Sequence, residues 1–193
     1  LSGELIRDHM LQASGKLSGK MFGPGVYPPQ PLTVLAHAFG NKSWNASKGE
    51  DRYRRSIYTF IKRTAPFAGF MTFDGTSGEN CLAKRDRSNT PLQALTLLND
   101  EMYLELARAA GQKVHQSKDD PIHSLFRRFL TRPPKQSETD ALRAYYEQQI
   151  QRLEKGEIKP SDITATPKAT PELAGKILLA RAIMNLDEAI TKP

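Results

Sequence analysis

The residues whose types and spacing could do chemistry together are Asp51, Arg52, Arg54, Arg55, Asp74, Arg87, Asn89 and the pair Asn99–Asp100. Arginine's planar fork suits two-point capture of a carboxylate, sulfate or phosphate. Asn89 and Thr90 stand at a helix start, whose free amides also attract anions. The candidate ligand-binding set is therefore Arg52, Arg54, Arg55, Asp74, Arg87, Asn89, Asn99 and Asp100. The same residues have a structural use, in which arginines tie loops to carboxylates and Asn99–Asp100 serves the local backbone. No nucleophile beside a base, acid/base pair or metal set can be assigned, so catalytic residues are left unnamed and the chain is not classed as an enzyme.

Other chemistry is thin. There is no Cys-x-x-Cys, His-Glu-x-x-His, Walker loop, dinucleotide glycine fingerprint or Gly-x-Ser-x-Gly elbow. Attached haem and the usual structural zinc are thereby excluded from this stretch, and no cofactor is expected in it. The histidines His9, His37, His115 and His123 lie far apart and read as surface or core groups. Asp119–Asp120 reads as a helix cap. Cys81 is alone and forms no internal disulfide, and a place in a strand would bury it as a small hydrophobe. Asn41-Lys42-Ser43 and Asn45-Ala46-Ser47 match the glycosylation pattern, which arises often by chance.

The chain has 193 residues, a formal charge of +7, 38% apolar and 25% charged residues. That is the make-up of an ordinary globular protein, not of collagen, a disulfide scaffold or a disordered chain. No apolar run approaches the ~20 residues that cross a bilayer, and the chain opens without a signal-peptide pattern. Residues 1–100 carry 13 basic and 8 acidic groups, with the surplus at Arg52, Arg54, Arg55, Lys62, Arg63, Lys84, Arg85 and Arg87. Such a surplus favours anionic partners, although a solvated face paired with Glu50, Asp51, Asp74 and Asp86 accounts for it as well. Basic residues are not regularly interleaved with aromatic ones, which argues against nucleic acid.

Several helices must position these groups. Ser2 caps a first helix with Ile6, Met10, Ala13 and Leu17 on one face, and Gly15 offers a stop. Three glycines and four prolines between Gly19 and Pro31 exclude regular structure, while Phe22, Val26 and Tyr27 pin that loop to the body. A short helix is expected near 32–39. Arg55–Lys62 reads as a strand, with Ile57, Thr59 and Ile61 on one side, and Asn80–Arg85 as its antiparallel partner. Thr90-Pro91-Leu92-Gln93 is a capping box that opens a helix striped by Leu95, Leu98, Met102, Leu106 and Ala109. Further helices start at Asp120-Pro121, at Ser137 and at Thr170-Pro171, with a polar connection over 155–169; the last has an apolar surface broad enough for burial, reaching Ile190. The fold class is mainly α: an irregular helical domain over 1–193, with a small antiparallel strand pair and long ordered loops.

Two stretches carry a resemblance: Gly49-Glu50-Asp51-Arg52-Tyr53-Arg54-Arg55-Ser56-Ile57-Tyr58, and Arg87-Ser88-Asn89-Thr90-Pro91-Leu92-Gln93-Ala94-Leu95 with Leu98-Asn99-Asp100. Ile6-Arg7-Asp8, Phe73-Asp74, Arg132-Pro133-Pro134 and Asn185-Leu186-Asp187-Glu188 fit it too. The chain resembles a planctomycete-specific domain of unknown function at the C-terminal end of large proteins that carry planctomycete cytochrome c domains. Lys84 and Ser88 stand where that pattern has Arg and Thr. The resemblance implies a piece of a larger exported bacterial protein, periplasmic or beyond, that lacks an N-terminal part of the full domain. It implies haem only in other domains of the parent, and it supplies no catalytic residues. Its implied partners are those domains or an anionic polysaccharide. Two functions follow as expectations: a non-catalytic binding or docking domain, or part of an enzyme site completed by upstream domains.

Overall fold

The computed structural model describes residues 1–35, 43–78, 81–167 and 169–191. It contains α1 (Gly3–Ser14), α2 (Ala68–Thr72), α3 (Pro91–Asn99), α4 (Glu101–His115), α5 (Pro121–Leu130), α6 (Gln136–Glu154), α7 (Pro160–Thr164), α8 (Pro171–Met184) and α9 (Asp187–Ile190). Short 3-10 helices cover Leu32–Leu35, Gly49–Tyr53 and Ser56–Tyr58. The first of these falls within the helix expected near 32–39; residues 36–39, like Asn41 and Asn80, lie outside the described part. The chain forms two compact units, one of residues 1–12 and 16–103, the other of residues 13–15 and 104–193.

The mainly helical class holds, but the antiparallel strand pair does not form, and no β-strand occurs among the described residues. Ser56–Tyr58 closes instead as a 3-10 turn, with Thr59 N–H donating to the Ser56 carbonyl at 2.9 Å. The extended piece that follows is met by the proline-rich loop: Val26 N–H donates to the Tyr58 carbonyl at 2.7 Å, and Phe60 N–H to the Val26 carbonyl at 2.8 Å. A second isolated parallel bridge joins Ser18 to Arg54. Residues 81–89 are exposed and irregular, so the expected partner strand is absent and Cys81 is exposed rather than buried.

In the first unit, buried polar groups do much of the work of a ladder. Arg7 on α1 is almost fully enclosed and donates to the carbonyls of Arg54 (2.8 Å) and Arg52 (3.2 Å) and to Ser56 Oγ (3.1 Å). Burial pulls its pKa down to about 10, against the opposing pull of Asp8. An aromatic cluster closes the other side. Trp44 is stacked on Phe67 at 6.2 Å between centroids and meets the Tyr27 ring edge-on at 5.2 Å, while its Nε1 donates to the Pro28 carbonyl at 2.7 Å.

The second unit is a helical pack. On α5 the apolar residues Ile122, Leu125, Phe126, Phe129 and Leu130 are all buried, and Asp120 caps the start by accepting from His123 N–H. Helix α8, buried on nearly every face, packs against α5, α6 and α7. Its approach to α4 is close: a Cβ on Gly111 would fall 2.8 Å from Ile177 Cα. Helix α6 begins at Gln136, one residue before the expected Ser137 cap, because Glu138 accepts from Lys135 N–H at 2.7 Å. The connection over 155–169 holds the short α7, and the last helix breaks at Asn185 before α9.

Candidate functional site

Five of the eight residues expected to bind an anion, Arg52, Arg54, Asp74, Asn99 and Asp100, make hydrogen bonds to other protein groups. Arg52 on the Gly49–Tyr53 turn donates to Glu101 Oε1 at 2.8 Å. Arg54 is buried, donates to the Pro24 carbonyl at 3.0 Å and to the Phe22 carbonyl, and lies over the Tyr58 ring at 3.8 Å. These bonds hold Phe22 in the left-handed region at φ 61°. Asp74 accepts from Ser88 N–H at 2.7 Å and from Ser88 Oγ at 2.8 Å. Asn89 is exposed just before the Thr90 cap, and Arg87 is exposed in the irregular stretch.

Asn99 donates to the Leu95 carbonyl at 3.0 Å, and Asp100 Oδ1 accepts from Met102 N–H at 2.9 Å. Asp100 thereby divides the long helix read from the sequence into α3 and α4, and burial raises its pKa. Most of the set thus serves loops and caps, and Arg55 lines open space together with other side chains.

That space is a cleft of about 420 Å³ in the first unit. One wall is the stretch from Arg55 to Ile61, the 3-10 turn and the extended piece after it, and the other comes from α1, Phe67 and Phe70. Its surroundings are unusually apolar for exposed positions: Ile57 is 81% exposed, Ile61 70%, Leu5 55% and Phe60 42%. Exposed apolar groups scattered singly are normal, but gathered in one concavity they mark a contact surface. Sequence reading missed these residues. The alternation of Ile57, Thr59 and Ile61 was a visible signal, and it suggests a buried strand face; the missing partner strand leaves the two isoleucines in the open.

Charged groups edge the cleft. Arg85 donates to both oxygens of Glu4, at 2.8 and 2.9 Å. Burial opposes the charge on Glu4, but hydrogen bonds from its own backbone, Arg85 and Ser2 outweigh that and keep its pKa below the usual carboxylate range. Asp8 accepts from Ser56 N–H at 2.7 Å and lies 3.9 Å from Arg55 Nε. The Arg55 side chain is 55% exposed and makes no hydrogen bond among the described residues. Among those residues no cluster of three or more His, Cys, Asp or Glu could hold a metal, and no helix is long and apolar enough to cross a membrane.

Nothing among curated proteins or solved structures matches the chain. One family model does, over residues 1–146, which takes in the whole cleft and every residue of the expected anion set. By that match the chain belongs to the PSD1 family, proteins of unknown function (DUF1553).

Proposed function

We propose that the chain is a non-catalytic docking module of a larger exported bacterial protein, and that it holds a segment of a neighbouring protein module through the cleft of its first unit. The observation that carries this reading is the open concavity bounded by exposed Ile57, Ile61, Leu5 and Phe60. Two of the four arginines that suggested an anion site, Arg52 and Arg54, are spent on a carboxylate and on carbonyls, which weakens both a polysaccharide and an enzyme reading. The cytochrome c domains of the larger proteins that end in the domain this sequence resembles are the candidate neighbours, and haem would belong to them rather than to this domain.

Solvent mapping by NMR tests the reading with isopropanol as an apolar probe and heparin as an anionic one. Isopropanol should shift amides around Ile57–Ile61 and Phe67–Phe70, and Ile57→Glu should abolish those shifts. Heparin shifts centred on Lys84–Arg87 that fade with salt, with none at the cleft for isopropanol, would overturn it in favour of an anionic polysaccharide.

A further inference from the structure

The extended run along the cleft has two edges, and only one is used. Val26 pairs with the Tyr58 carbonyl and the Phe60 amide. In an extended chain, groups of alternate residues point to opposite sides. The carbonyl of Thr59 and the amide of Ile61 therefore face away from Val26, and neither has a partner among the described residues. Thr59 is 7% exposed, and its Oγ1 is enclosed without a hydrogen-bond partner although the residue lines the cleft. Buried polar groups in folded proteins are nearly always satisfied, so the enclosed Thr59 Oγ1 marks this edge as unfinished, and the Thr59 carbonyl and Ile61 amide beside it are main-chain groups left to pair.

We propose that the cleft binds its protein partner by strand addition, taking an extended peptide that pairs with Thr59 and Ile61. This rests on the docking reading above and names its occupant. One residue of the peptide would donate its N–H to the Thr59 carbonyl and accept from the Ile61 N–H, the counterpart on this edge of what Val26 does on the other. Flanking apolar side chains, in alternate positions, would cover Ile57 and Ile61 and enter the space before Phe67 and Phe70. Main-chain bonds supply affinity in this mode and the pockets for alternate side chains supply selectivity. Charge selects further. Arg55 is half-exposed, and its nearest carboxylate oxygen, Asp8 Oδ2, lies 3.9 Å from Nε, beyond hydrogen-bond distance, so its fork is available to an acidic residue of the peptide. The occupant is thus an extended segment with alternating apolar residues and at least one Asp or Glu.

A phage-displayed library of random heptapeptides, panned against the intact chain, provides the probes, with Ile57→Glu as the counter-selection. Ile57 is so exposed that this variant should unfold at the temperature of the parent, which thermal unfolding checks. Enriched peptides should alternate apolar residues and carry an acidic one. N-methylation of the pairing residue should weaken binding about tenfold or more, methylation of the next residue should not, and bound peptide should slow exchange of the Ile61 amide. Cleft-dependent peptides that ignore N-methylation at every position would overturn strand addition and leave the docking reading standing. A library that yields no peptide sensitive to Ile57→Glu would overturn both.

Discussion

The two units solve the same problem by different means. In the second, α5, α6 and α8 satisfy their own amides and carbonyls, and what remains is to press apolar faces together; Leu125, Phe126, Phe129, Leu179 and Ile183 are buried there almost without exposure. In the first, the loop over 19–31 and the turns over 49–62 have no ladder, and guanidinium groups stand in for one. Arg7 and Arg54, both nearly enclosed, serve five acceptors between them, four of which are main-chain carbonyls. An arginine can do this because it brings five donors on a rigid plane and stays charged when buried. The comparison also explains why the open edge lies in the first unit: a segment stitched by single side chains leaves neighbouring carbonyls and amides unmatched, whereas a helix does not.

The largest effect should come from Arg7→Met, which keeps much of the stem and removes the fork. Three acceptors lose their donor, and at about 1–3 kcal/mol for each buried one the loss should be at least about 3 kcal/mol. Denaturant unfolding measures it, and hydrogen exchange should locate the weakening in the first unit. A loss below about 1 kcal/mol would mean that the arginine is not the staple described. Next comes Gly111→Ala in the second unit, where the new methyl would meet Ile177 backbone atoms at 2.8 and 2.9 Å. Overpacking of this kind costs about 2 kcal/mol, and exchange should now quicken in α4 and α8. A neutral result would show that the second unit is looser than its helix crossings imply.

Thr90→Ala should cost about 1 kcal/mol by unfolding, because Thr90 Oγ1 accepts from Gln93 N–H and the Gln93 side chain returns the bond to Thr90 N–H at 3.2 Å. Cleft binding should be unchanged, since neither residue lines it. The smallest effect is acid sensitivity in the second unit. Hydrogen bonds from the Arg132 fork, then from Lys135 N–H, lower the Glu138 pKa to about 2. A carboxyl whose folded pKa is depressed contributes stability fully above its unfolded value of 4.5, and that contribution is lost as pH falls toward about 2. Thermal scans between pH 5 and pH 2 should therefore separate the parent from Glu138→Gln at the upper end of that range (from about pH 5 down) and bring them together at the lower. Curves that stay parallel would remove Glu138 from the account.

What could be read in advance was local. The Thr90 capping box, the Asp120 and Thr170 caps and the stripe of α5 each depend on residues within four positions of one another, so the amino-acid order alone specifies them. The net charge, the mainly helical class and the lack of familiar catalytic motifs were equally available. The candidate site was not. Whether an arginine meets a ligand or a carbonyl depends on what lies across from it, and the acceptors of Arg7 are 45 to 49 residues away along the chain. Ile57, Thr59 and Ile61 showed the alternation of a strand, but the pairing went to Val26, more than thirty residues upstream, rather than to the stretch after Asn80. Periodicity states which side chains share a face; only the tertiary structure decides whether that face is covered, because coverage is contributed by distant parts of the chain.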